Sequence, residues 1–133
     1  MLKRLVVASI LILSLNACAG SSDLRKFQAF VSAADLKGLK TGSVPLPADQ
    51  KSLTADGNIY VDKAHHASVI IIFDTWVGKG ANMEGYLYSS KPLTNADLTK
   101  DYYGEAVIEL FGIQYVITKT ADPHWYAVEF HLS

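Results

Sequence analysis

Cysteine is almost absent: Cys18 is the only one in 133 residues. One cysteine excludes an internal disulfide and the clustered thiolates of a structural zinc site. Arginine is nearly as scarce, with Arg4 and Arg25 alone, so bidentate recognition of phosphate or carboxylate has little to draw on. No apolar run reaches the ~20 residues that span a bilayer core. No serine sits in a GxSxG elbow, and there is neither an HExxH pair nor a Walker loop. The local signatures of serine hydrolases, zinc proteases and P-loop proteins are therefore missing. The chain has no internal repeat and no low-complexity tract. These absences point away from an enzyme and leave open only catalytic groups that the fold itself brings together.

What is present begins at the start of the chain. Lys3 and Arg4 precede an apolar run over residues 5–15, which ends in Leu15-Asn16-Ala17-Cys18. A basic pair, a short apolar stretch and a small residue before cysteine make a targeting signal rather than a core helix, because the run has no polar face. The four residues resemble the lipobox of bacterial lipoproteins, and the resemblance covers about the first 20 residues. It implies a thioether-linked diacylglycerol on Cys18, cleavage of residues 1–17 and acylation of the new amino terminus. Several acyl chains anchor stably where one binds only marginally. Ala19 replaces the aspartate that retains such lipoproteins in the inner membrane, which implies an outer-membrane anchor facing the periplasm. The expected organisation is a cleaved signal (1–17), a lipidated cysteine with its tether (18–22) and one small domain (23–133).

Loss of Lys3 and Arg4 leaves 10 of the 12 basic side chains against 13 acidic ones. A mildly acidic chain argues against nucleic acid as a partner. The mature domain must rest on its apolar core, which is concentrated in the last two thirds.

Residues 23–37 read as a helix, with Ser22 at its N-cap, Leu24, Phe27, Val31 and Ala34 on one face and Gly38 at its end. Residues 38–57 carry Gly38, Gly42, Pro45, Pro47 and Gly57 and read as loop or extended chain. Strands are expected at 58–63, 68–77, 82–90, 105–111, 113–119 and 124–132. The segment SVIIIFDTWV is apolar on both faces, as in a central strand. VGKGAN reads as a hairpin connection and Ala121-Asp122-Pro123 as a turn. Thr94-Asn95-Ala96-Asp97 matches a capping box that should open a short helix running to about Tyr102. The sum is an α+β fold: a mostly antiparallel sheet of five or six strands with one or two short covering helices.

Several residues carry chemistry. His65 and His66 suggest a metal pair, with Asp62 nearby, but adjacent turn residues point apart and a surface turn is the better reading. Lys79 in the hairpin is a cationic tip for a partner. The last strand places Trp125, Glu129 and His131 on one face, opposite Tyr126, Val128 and Phe130 on the core side. A Glu–His pair serves general-base work, although exposed sheets commonly carry such pairs as plain surface. Asp74 interrupts an apolar strand, which is costly unless it sits at a rim or marks a cleft. Six tyrosines in residues 86–126 suit a contact surface and suit ordinary strands equally.

The expectation is a non-catalytic, membrane-anchored envelope lipoprotein without a cofactor, which binds a protein partner or serves a structural role. Lys79, Trp125, Glu129 and His131 are its candidate binding residues. Two alternatives stand beside it. One is a periplasmic inhibitor or immunity-type protein acting on a wall-degrading enzyme. The other is a small-ligand binder or hydrolase using the face of the last strand.

Overall fold

A computed structural model describes residues 19–65, 68–78 and 82–130, with side chains from Leu24 onward. Cys18, His66, Lys79 and His131 lie outside the described residues, as does the signal segment. The chain divides into two compact units, Met1–Asp35 and Leu36–Ser133.

The described part of the first unit is helix α1, Ala19–Ala33. Phe27 is buried and Leu24 and Val31 are half-buried, while Arg25, Lys26 and Ala29 are exposed, so the anticipated face exists. The boundaries differ from expectation. Residues 19–22, expected as a tether, are helical, and the helix stops before Lys37. The Ala34 amide bonds to the Val31 carbonyl at 3.2 Å, a three-residue closure that ends the regular turns. Gly38 closes a separate 3-10 turn, Leu36–Gly38.

The second unit is built on one antiparallel sheet of eight strands. They are β1 (Gly42–Pro45), β2 (Asn58–Asp62), β3 (Ile70–Val77), β4 (Met83–Ser89), β5 (Thr99–Lys100), β6 (Ala106–Leu110), β7 (Ile113–Lys119) and β8 (Trp125–Phe130). Their order across the sheet is β1-β2-β3-β4-β8-β7-β6-β5. The expected class, mostly antiparallel sheet with short helices, holds. The expected five or six strands is an undercount, and the two extra strands are the edges. β1 lay in the stretch read as loop; its Pro45 has no amide to donate, which an edge strand tolerates. β5 occupies part of the expected helix. The capping box is present, with Thr94 and Asp97 satisfying each other's turn, but it opens only a 3-10 turn, Asn95–Asp97.

Every connection joins sheet neighbours except the one over residues 90–98, which carries the chain from β4 to the far edge. The strands then return inward until β8 closes against β4. The register aligns Tyr60 with Ile72 and Asp74 with Gly85.

The two faces of the sheet are both apolar over its centre. Ile71 and Phe73 of β3 point to one face, together with Ile59, Val61 and Trp125. Ile70 and Ile72 point to the other, in a cluster with Leu87, Tyr126, Val128, Tyr115, Ile117, Ile108 and Leu110. Complete burial of residues 70–73 explains why the segment shows no alternation in sequence.

This second face curls on itself. Tyr60 of β2 and Ile113 and Tyr115 of β7 line one cavity, although three strands lie between β2 and β7 in the sheet order. Neighbouring strands are about 4.8 Å apart. On a flat sheet those side chains would be too distant to share a pocket, so the sheet bends into an unclosed cup.

Candidate functional site: an acidic, aromatic cup

The cavity lies at the end of the sheet where β3 finishes, β4 begins, β8 finishes and β7 begins. Its volume is about 600 Å³, within the range of sites for small organic molecules. Met83, Ile113, Tyr115 and Phe130 form its inner wall. Tyr60, Asp74, Ala55 and Asp56 form one side, with Val77 and Phe111 at the rim. No lysine or arginine is among these lining residues.

Local structure sets Asp74 in place. The β3–β4 ladder is regular through the Asp74–Gly85 pair, then a bulge adds Thr75 before Trp76 pairs with Glu84. Bulges bend a strand and re-aim its side chains. Gly85 is required here: a Cβ at that position would collide with the Phe73 carbonyl oxygen. The Ala55 amide bonds to the Asp74 carbonyl at 2.7 Å and holds the 54–57 turn against the bulge.

That turn delivers Asp56. Its carboxylate accepts the Asn58 amide at 3.0 Å and the Tyr60 hydroxyl. Asp56 is thus committed to its own turn. Asp74 differs: no described side chain donates to its carboxylate, and no buried side-chain nitrogen or oxygen in the described residues lacks a partner. The carboxylate therefore opens to the cavity and its water.

The titration of these groups follows from the surroundings. Burial lifts the Asp74 carboxyl from 3.8 to about 6, and the charge of Asp56 adds to the rise. Donation to Asp56 is the main reason the Tyr60 phenol moves up to about 12, followed by burial. Burial also pushes Tyr115 up to about 12, with the Asp74 charge contributing. Both phenols stay neutral at physiological pH. The cup can hold a negative charge or a proton at one point, inside a wall of rings.

The residues singled out in the sequence are distributed otherwise. Trp125 is not on an exposed face with Glu129: it is 3% exposed. Its ring lies 5.7 Å from Phe73 and 5.2 Å from Tyr88. The strand had been read as one-sided, whereas β8 lies inside the sheet with both faces covered at that end. Glu129 is half-buried in a separate shallow cleft of about 260 Å³ with Thr75, Glu84 and Thr118, which does not include Trp125. Tyr126, Val128 and Phe130 take the core side as expected. His65 sits in its turn, 3.4 Å from Asp62. Among the described residues, no group of three His, Cys, Asp or Glu could hold a metal ion. No described helix is long and apolar enough to cross a membrane.

Sequence reasoning left Asp74 as either a rim residue or the sign of a cleft, and missed Asp56, Tyr60, Phe111 and Ile113. Gly112 carried a usable signal, since a glycine between two strand candidates permits the positive φ of a tight turn. The other residues come together only through the curl. No protein-family model, curated protein or solved structure matches this chain.

Proposed function

We propose that this chain is a non-catalytic, lipid-anchored envelope protein whose β unit binds a small, largely apolar molecule in the cup. The anchor rests on the lipobox-like sequence ending at Cys18. The observation that carries the binding role is the 600 Å³ cavity, walled by Met83, Phe111, Ile113, Tyr115 and Phe130. Apolar surface left open at the end of a sheet is unfavourable unless something covers it at work. A binding role also explains why a carboxylate is kept in a strand that is otherwise core.

The test is saturation binding of a neutral, environment-sensitive naphthylamine dye to residues 22–133. One dye per chain should bind. Filling the cavity by Ile113→Trp or Met83→Trp should weaken binding about tenfold or more at unchanged far-UV circular dichroism. Equal binding by wild type and both filled variants, or no binding at all, would remove the reading.

A second reading, contact with a protein partner, is favoured by the turn between β5 and β6. Tyr102 is 94% and Tyr103 81% exposed, with their rings edge to face at 5.2 Å. The Asp101 carboxylate fixes the turn by accepting the Tyr103 and Glu105 amides. Rigid, exposed tyrosines are favourable contact residues. They lie at the end of the sheet opposite the cup, so the two roles do not compete for surface.

A further inference from the structure

We propose that the cup selects a small organic cation, an amine or quaternary ammonium on an aromatic or aliphatic body, with Asp74 as its counter-ion. The proposal rests on the ligand-binding reading above and names the ligand's class.

Charge is the first argument. The lining residues include two carboxylates and no basic group. An anionic ligand would meet Asp56 and Asp74 with no cation to offset them. The Tyr60 hydroxyl, one of the few donors present, is already given to Asp56. A neutral ligand would displace the water that solvates Asp74 and leave the carboxylate without a donor, which is unfavourable. A cation replaces that water with an ion pair.

The second argument is the wall. Tyr60, Phe111, Tyr115 and Phe130 present four aromatic rings to the same space. Ring faces are electronegative and attract ammonium groups, most strongly where water is partly excluded. Tyr115 and Phe130 are held together, with ring centres 6.0 Å apart. A carboxylate among rings combines the two attractions available to an organic cation.

The third argument is the division of labour between the carboxylates. Asp56 spends its oxygens on Asn58 and Tyr60, whereas Asp74 keeps its own toward the cavity. Asp74 therefore makes the contact, and Asp56 adds field.

Among the described residues, the titratable groups that face Asp74 are Asp56 from the 54–57 turn, Tyr60 from β2 and Tyr115 from β7. From β4 and β8 the cavity lining takes only the uncharged Met83 and Phe130. Lys79, which falls between β3 and β4 in sequence, and His131, which follows Phe130, lie outside the described residues. Among the described residues, Asp74 is thus the group whose ionisation sets the pH response of binding.

The test compares 1-naphthylmethylamine with 1-naphthalenemethanol, of nearly equal size, by calorimetric titration of residues 22–133. The amine remains protonated throughout. At about pH 8 it should bind about tenfold tighter or more than the alcohol, as a charge-assisted contact requires. At about pH 5, with Asp74 protonated, the ratio should fall below about threefold. Asp74→Asn should bring the preference below about threefold at both pH values and, by removing the carboxylate that a neutral guest leaves without a donor, should bind the alcohol at least as tightly at about pH 8 as wild type does, with its fold checked by thermal unfolding. If both compounds bind wild type equally at about pH 8, the cation inference falls and the ligand-binding reading stands. An undiminished preference of about tenfold in Asp74→Asn would also overturn it, since the attraction would lie elsewhere. If neither compound binds, both readings fall.

Discussion

Asp74 sits one residue beyond four consecutive buried positions, at the point where a bulge turns β3 outward. Its carboxyl has a folded-state pKa near 6 against 3.8 in free chain, because burial disfavours the charge and Asp56 repels it. A raised carboxyl pKa means that the folded state holds the proton more tightly. The contribution to stability is therefore present below about pH 4 and is lost as pH rises through 6. Asp74→Asn removes the charge and keeps the shape. It should match wild type in Tm near pH 4 and exceed it near pH 7.5, and thermal unfolding at the two pH values measures the difference. Because the site remains partly open to solvent, the gain is about 1 kcal/mol, or roughly 4–8 °C for a unit of this size. A carboxylate at such a position, destabilising the fold, is a candidate functional group. It was also the one part of the cup legible in the sequence, since a lone acid in an apolar strand is conspicuous without any structure. Asp56 and Tyr60 were invisible there, because an exposed-looking acid and a strand tyrosine are ordinary in isolation. Trp125 misled for the converse reason: alternation within β8 shows which residues share a side, not whether that side meets water.

At the scale of elements, the hairpin of β6 and β7 stands out. Leu110 pairs with Ile113, leaving a two-residue turn of Phe111 and Gly112 with φ values of 56° and 75°. Two left-handed residues make the turn type that follows strand twist best, and asparagine followed by glycine is its favoured sequence. Phenylalanine is a poor occupant of the first position, where a bulky side chain is strained. Phe111→Asn should stabilise the unit by about 1 kcal/mol in chemical denaturation. It should also weaken dye binding in the cup, because the ring at the rim is lost. Higher stability together with unimpaired binding would show that Phe111 has no part in the site. The strands most visible in sequence were the long ones, whose branched residues fill both faces or alternate. The edge strands escaped because they are short, one containing proline and the other lying behind a helix-start signal. That signal was real, but Leu98 is drawn into the core cluster. The following Thr99 and Lys100 pair with Val107 and Ala106 instead of continuing the turn. Tertiary pairing overrode a local preference that had only one turn to act through.

At the scale of the whole molecule, the lipobox-like segment and the cup belong to one proposal, a ligand site held at a membrane. Cys18→Ala should leave an unprocessed precursor or release the protein from membranes, followed by fractionation and the mass of the amino-terminal peptide. A processed form that still resists salt extraction would exclude a lipid on Cys18. Antiparallel pairing was legible because nearly all connections are short and neighbours in sequence pair directly. The curl was not, since it depends on how twist and bulges accumulate over eight strands. The cup also stops short of becoming a barrel. β1 lies along four residues of β2, but β5 reaches only Ala106 and Val107 of β6. The remainder of β6, Ile108–Leu110, leads straight to Phe111 at the rim with no strand along its outer side. Among the described strands, an unpaired edge therefore runs up to the rim of the cup. The entrance of the proposed site thus has one side that no ladder bond between the described strands holds closed.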